Sequence, residues 1–195
     1  DFKYVAVIES GLVNVVSPAG AKGIWQFMPD TAKEIGLEVN ENIDERYHLE
    51  KATEAACVYF LKAKEKFGNW TLVAAAYNAG GTGVKKQMDT QRVTNYYDLL
   101  LNDETSRYVF RILALKQIME HPEQYGFPIT EEEQYRIVAT KKIVIDSSVT
   151  DLASLAIQQG INYKILKIHN PWLRTTKMLN PTNKKYQLEI PLKGY

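Results

Sequence analysis

Two kinds of pattern in one chain predict an α+β protein: a mainly helical first part, residues 1–127, followed by a small β-α-α-β unit, residues 128–195. Three observations carry this. Up to about residue 120, apolar residues recur at helical spacing between Gly-rich turns. From about Pro128, β-branched runs take over. Between them, residues 122–134 hold Pro122, Gly126, Pro128 and an acidic run, which suits a junction.

Taken in order, Phe2, Val5, Ala6 and Ile8 outline a helix face that leads into Glu9-Ser10-Gly11. Pro29 suits the first turn of a helix that Gly36 stops. Residues 49–67 read as a long amphipathic helix with Ala52, Ala55, Ala56, Tyr59, Phe60 and Ala63 on its buried side and Gly68 closing it. Asn69 can cap an Ala-dense helix over 70–77. Gly80-Gly81-Thr-Gly83 then reads as a helix terminator in a cleft wall, since no strand precedes it and no Gly-Lys-Ser/Thr follows to make a phosphate loop. Asn102 or Asp103 can cap a helix carrying Tyr108, Val109, Ile112 and Leu115. In the last third, residues 135–139 and 142–145 are expected as strands. Residues 152–159, capped by Thr150 or Asp151, and residues 163–169 are expected as short helices, and 186–191 as a closing strand with period-two alternation.

The formal charge is only +1, and no Lys/Arg block stands out, which disfavours a nucleic-acid partner. The single cysteine, Cys57, sits in an apolar helical context and is expected as a small core residue rather than a thiol nucleophile. No apolar run is long enough to span a bilayer. The opening without Met reads as a processed or trimmed start, which leaves room for an upstream anchor. His48, His121 and His169 are scattered without ligand spacing, so neither a metal nor a cofactor is expected.

Four short motifs occur in order: Glu9-Ser10-Gly11, Gly20-Ala-Lys-Gly-Ile-Trp-Gln-Phe-Met-Pro29, Ala76-Tyr-Asn-Ala-Gly80 and Glu104-Thr-Ser-Arg-Tyr108. Together, over roughly residues 1–120, they resemble the lytic transglycosylase family of the goose-lysozyme-like fold, and within it a membrane-bound branch. The resemblance implies cleavage of peptidoglycan glycan strands at the MurNAc-GlcNAc bond, in the periplasm or on the periplasmic side of the outer membrane, by a monomeric protein without nucleic acid.

The residues make chemical sense in those roles. Glycosidic cleavage needs a carboxylic acid to protonate the leaving oxygen. Glu9 follows the apolar run Val5-Ala-Val-Ile8, and a carboxyl held against apolar surface has its pKa raised towards ~6. No obvious second carboxylate is found: Asp30, Glu34, Asp44 and Glu45 read as solvated positions. The resemblance implies that none is needed. The substrate's N-acetyl oxygen would attack C1, and Glu9 would act as acid and then as base, closing a 1,6-anhydro ring. It also implies substrate-site roles for Ser10, Gln26, Met28, Tyr77, Asn78, Glu104 and Tyr108. Tyr77 and Asn78 would hold the N-acetyl group and the acid, and Tyr108 would face the carboxylate. Ser10 has helix capping as its alternative, and Glu104 a solvated place in a first helical turn. Trp25 and Phe27 are assigned to the core. A hydrolytic muramidase on the same fold and a non-catalytic peptidoglycan-binding protein remain as rivals.

Residues 151–171 followed by 186–191 resemble a LysM module, a family that binds N-acetylglucosamine-containing glycans. The helix-Gly-helix-Asn core and closing Ile-Pro match. The usual Gly-Asp-Thr-Leu opening does not, Ser147-Ser-Val-Thr-Asp-Leu standing in its place. Glycan binding and packing against the first domain are both open for this module. Trp172 is read as either a sugar platform or an interdomain plug.

Overall fold

The computed structural model describes residues 1–192. Its element order is helical up to Glu120 and then β-α-α-β, as the sequence predicts. The chain folds into two compact units that are each discontinuous in sequence. One comprises Asp1–Val13 and Thr53–Ile129, the other Asn14–Ala52 and Thr130–Tyr195.

The first unit is helical. It contains α1 (Lys3–Ser10), α3 (Leu49–Phe67) from Thr53 onward, α4 (Trp70–Ala79), α5 (Gly81–Gln91) and α6 (Asp103–Glu120). α4 packs on both α5 and α6, and α1 packs on α6. The packing follows from side-chain size. Ala74, Ala75 and Ala76 are buried on α4, so its neighbours approach closely. Asn69 caps α4 by accepting from the Leu72 amide at 2.9 Å, and Asn102 caps α6 by accepting from the Thr105 amide at 2.8 Å. Gly11 ends α1 in the left-handed region at φ 61°.

Two sequence expectations fail in this unit. Gly80 does end α4, but the chain turns straight into α5 rather than into a terminating loop. Gly80 at φ 80° supplies the corner, and the helical dihedrals resume at Gly81. Cys57 is exposed rather than in the core. Ala55, Ala56 and Phe60 occupy the inward stripe of α3, and position 57 falls on the outer side with Val58 and Leu61.

The second unit holds α2 (Pro29–Glu34), a 3₁₀ turn at Glu45–Tyr47, β1 (Thr140–Ile145), α7 (Leu152–Gln158), α8 (Tyr163–His169) and β2 (Tyr186–Pro191). β1 and β2 pair antiparallel, from Thr140 opposite Pro191 to Ile145 opposite Tyr186. Tyr186, Leu188 and Ile190 point inward from β2, so the predicted alternation is observed. The core gathers these with Leu152, Leu166 and Met178, and with Ile43 and Tyr47 from the early part of the chain. Asn170, fully buried, joins α8 to β2. Its amide donates to the Leu166 and Glu189 carbonyls at 3.0 and 2.8 Å, and its oxygen accepts from the Glu189 amide at 2.8 Å.

This unit departs from the sequence expectations at three places. Residues 135–139 form no strand, and Tyr135 and Ile137 stand fully in solvent. Among the described residues the pairing ends where the Leu192 amide donates to the Ala139 carbonyl at 2.9 Å, so β propensity further upstream finds no partner. Asp44 and Glu45 are buried rather than solvated. Trp172 is 3% exposed, stacked between His48 and Tyr186 at centroid distances of 5.8 and 5.9 Å. With both faces covered it offers no platform for a sugar ring. Among the described residues no helix is long and apolar enough to cross a membrane.

Candidate active site

Glu9 lies in the last turn of α1, whose Tyr4, Val5 and Ala6 are buried. That anchoring leaves the Glu9 carboxyl half-buried, and burial raises its pKa above the ordinary 4.5. Opposing this, the Tyr108 hydroxyl on α6 donates a hydrogen bond to Glu9 Oε1, which favours the carboxylate. The Glu104 charge pushes the pKa up further, and the Arg111 charge pulls it down. Burial and Glu104 prevail.

Tyr108 is almost wholly buried, and its own pKa is driven far above the usual value by burial and by Glu9. The phenol therefore stays a donor at any pH at which the protein works. Tyr77, at the end of α4, has its pKa raised well above 10 by burial and then by the Glu9 charge. Its ring meets Tyr59 edge-on at 5.2 Å and Phe60 at 5.0 Å, which fixes its plane.

Asn78 follows and cross-braces α4 to α6. Its Nδ2 donates to Glu104 Oε1 at 3.1 Å, and its Oδ1 accepts from Thr105 Oγ1 at 2.7 Å. Ser10 donates from Oγ to the Ala6 carbonyl at 3.0 Å, a back-bond within α1. The structure thus brings Glu9, Ser10, Tyr77, Asn78, Glu104 and Tyr108 onto the facing ends of α1, α4 and α6.

Gln26 and Met28 belong to the second unit. Gln26 adopts φ 50°, rare for a residue with a Cβ, and its Nε2 donates to the carbonyls of Gly23 and Val15 at 2.6 and 3.2 Å. Gly20 and Gly23 also take positive φ, as a tight turn requires. Met28 is 44% exposed, while Trp25 and Phe27 are buried as expected.

Two residues of the first unit escape the sequence reading. Thr105 is buried beside Asn78, and Arg111 reaches Glu9 with its charge. Thr105 sits inside the Glu104–Tyr108 motif, and Arg111 lies three residues beyond Tyr108, on the same side of a helix. That spacing is the signal that could have found them.

One end of this helical unit therefore gathers a carboxyl whose pKa is raised, a phenol donor on it and a braced Asn-Glu pair. The chain belongs to the family described as "Transglycosylase SLT domain", which matches residues 2–100. Residues 141–194 match the family described as "Soluble lytic transglycosylase C-terminal LysM-like domain". Among curated proteins it is similar to membrane-bound lytic murein transglycosylase D of Escherichia coli strains K12 and O6:H1. Each is 32% identical over 170 residues, covering 84% of this chain. The chain spans 37% of the length of those relatives. Among solved structures, lytic transglycosylase Slt of Pseudomonas aeruginosa, an inactive variant, aligns with TM-score 0.45 and 20% identity over 68% of this chain and 23% of that one.

Proposed function

We propose that this chain is a peptidoglycan lytic transglycosylase in which Glu9 is the one acid/base residue. The observation that carries the reading is the half-buried Glu9 carboxyl with its raised pKa, held by Tyr108. A protonated Glu9 gives its proton to the glycosidic oxygen as the C1–O bond breaks. The N-acetyl oxygen of the same MurNAc ring bonds to C1 and carries the positive charge as an oxazolinium ion. Glu9, now a carboxylate, takes the proton of the C6 hydroxyl. O6 bonds to C1, the oxazolinium reopens to the N-acetyl group, and a 1,6-anhydro ring is left with Glu9 protonated again. Atoms and protons balance without water.

Each of the other named residues has a task in this scheme. Tyr108 steadies the carboxylate formed in the first step. Glu104 is engaged by the Asn78 amide, so it tunes Glu9 rather than attacking C1. Tyr77 and Asn78 hold the N-acetyl group in line with C1, where orientation is worth several powers of ten in rate. Ser10 lies beside the acid. Gln26 gives its amide donors to the backbone, so a sugar hydroxyl or amide N–H would meet it at Oε1. Met28 offers apolar surface beneath a ring.

On this reading residues 1–127 are the catalytic domain and 128–195 a LysM-like module that meets N-acetylglucosamine-containing strands. The protein works as a monomer in the periplasm or at the periplasmic side of the outer membrane, where its substrate lies, through an N-terminal anchor if one precedes Asp1. The test is Glu9→Gln on purified sacculi. The reading expects the wild-type protein to release soluble muropeptides and the variant to release none. Equal release by both would overturn it.

A further inference from the structure

Asp44, Glu45 and Arg46 are three consecutive charged residues, each 3% exposed or less. Burying a charge is costly unless it is paired and hydrogen-bonded, and here every charge is. Arg46 Nε and Nη2 donate to the two carboxylate oxygens of Asp44, both at 2.8 Å. Its Nη1 donates to the carbonyls of Phe27 and Gly20 at 3.0 and 3.4 Å. One guanidinium therefore holds both ends of the Gly20–Phe27 loop, which carries Gln26. Gly23 passes directly against the Arg46 backbone: a Cβ at position 23 would lie 1.9 Å from the Arg46 carbonyl oxygen.

The other side of the triplet is gripped by the C-terminal element. The Asp44 amide donates to the Trp172 carbonyl at 2.9 Å, the Arg174 amide donates to the Asn42 carbonyl at 2.8 Å, and Ile43 bridges Leu173. Glu45 accepts from the Glu38 amide at 2.8 Å and from Lys51. Glu38 accepts in turn from Lys184 Nζ at 2.6 Å and the Tyr186 hydroxyl at 3.0 Å. Burial works against the Glu38 carboxylate, but the bonds from Lys184 and Tyr186 outweigh it and hold its pKa below the ordinary value.

We propose that Arg46 is a positioning residue for glycan binding, and that the C-terminal element acts on substrate through it, as the clamp on the Gly20–Phe27 loop. This rests on Gln26 and Met28 meeting the glycan. The physical reason is the left-handed backbone of Gln26, which is strained for a residue with a Cβ and persists only where surrounding bonds impose it. Arg46 supplies those bonds at Gly20 and Phe27. Asp44 fixes the guanidinium towards them, and residues 172–174 with Lys184 and Tyr186 keep the triplet in place.

The test uses the whole chain carrying Arg46→Ala, Lys184→Met or Gln26→Ala, with KM and kcat on soluble glycan strands, the pH profile and the melting temperature of each. For Arg46→Ala the clamp predicts a KM raised about tenfold, with the pH limb set by Glu9 unmoved. Lys184→Met leaves the buried Asp44–Arg46 pair intact, and its KM should rise about threefold. That variant decides the matter if Arg46→Ala does not fold. A folded Lys184→Met or Arg46→Ala protein with wild-type KM overturns the clamp, even if it melts earlier. Gln26→Ala separates the two layers. Wild-type KM in that variant removes the role of Gln26 and the clamp with it, whereas a raised KM there beside an unchanged KM in either other folded variant removes the clamp alone.

Discussion

The Tyr108 hydroxyl donates to the Glu9 carboxylate from 99 residues away in sequence, and it is the strongest influence keeping that carboxyl from being still less acidic. Tyr108→Phe removes the donor and leaves the ring. The Glu9 pKa then rises, because the bond favoured the charged form. In the proposed mechanism cleavage requires protonated Glu9, so the limb on which kcat/KM falls with rising pH should move to higher pH. At the same time kcat should fall about ten- to a hundredfold, since the carboxylate formed in the first step has lost its partner. A pH–rate profile checks both. An unmoved limb with unchanged kcat would show that the bond is idle.

Glu9 also sets a pH signature in stability. Its folded pKa is raised from 4.5, so the folded protein binds the proton more tightly than the unfolded chain. Between 4.5 and the raised value, rising pH therefore draws stability away. Glu9→Gln, which carries no charge, should melt at a higher temperature than wild type at about pH 7. The gap should narrow as pH falls towards 4.5 and close below it, where Glu9 becomes protonated in both states. Melting curves across that range test the sign. A variant less stable than wild type near neutral pH contradicts it.

Asn78→Ala cuts both arms of the brace between α4 and α6. Thr105 Oγ1, buried, loses its acceptor, which costs about 1–3 kcal/mol. Glu104 is freed beside Glu9. Turnover per folded molecule should fall more than about tenfold, because the group proposed to orient the N-acetyl arm is gone. Measuring kcat on protein shown folded by circular dichroism separates the two effects. Full turnover in a folded but less stable variant would make Asn78 structural only.

Much of this was legible in the sequence, and the residues show why. Glu9 follows an apolar helix face, so its environment is written locally. The alternation in residues 186–191 names both the strand and its inner face. Asn69 and Asn102 mark helix starts by the chemistry of their own side chains. Illegible were features whose cause is distant. Asp44 and Glu45 read as solvated because their compensation comes from Arg46, Lys22, Lys51 and the distant Lys184. The run 135–139 has strand composition, but composition does not count the partners left to pair with. α5 hid behind Gly81 and Gly83, which lower helix propensity without forbidding a helix that packs on α4.

Asn170→Ala probes the C-terminal element by itself. It strips the side-chain partner from the part-buried Glu189 amide and carbonyl, at about 1–3 kcal/mol for each group left unsatisfied, while the Leu166 carbonyl keeps the Asn170 backbone amide. Thermal unfolding should show a loss of several degrees. A shift within error would mean that water replaces the amide without cost.

The claim that one glutamate serves as acid and then base, with no water consumed, is tested most directly by mass spectrometry of peptidoglycan digested in heavy-oxygen water. The account predicts terminal muramic acid one water lighter than the reducing sugar and free of heavy oxygen, absent when Glu9→Gln is used. Terminal reducing sugar carrying heavy oxygen would contradict it and make the protein a hydrolase.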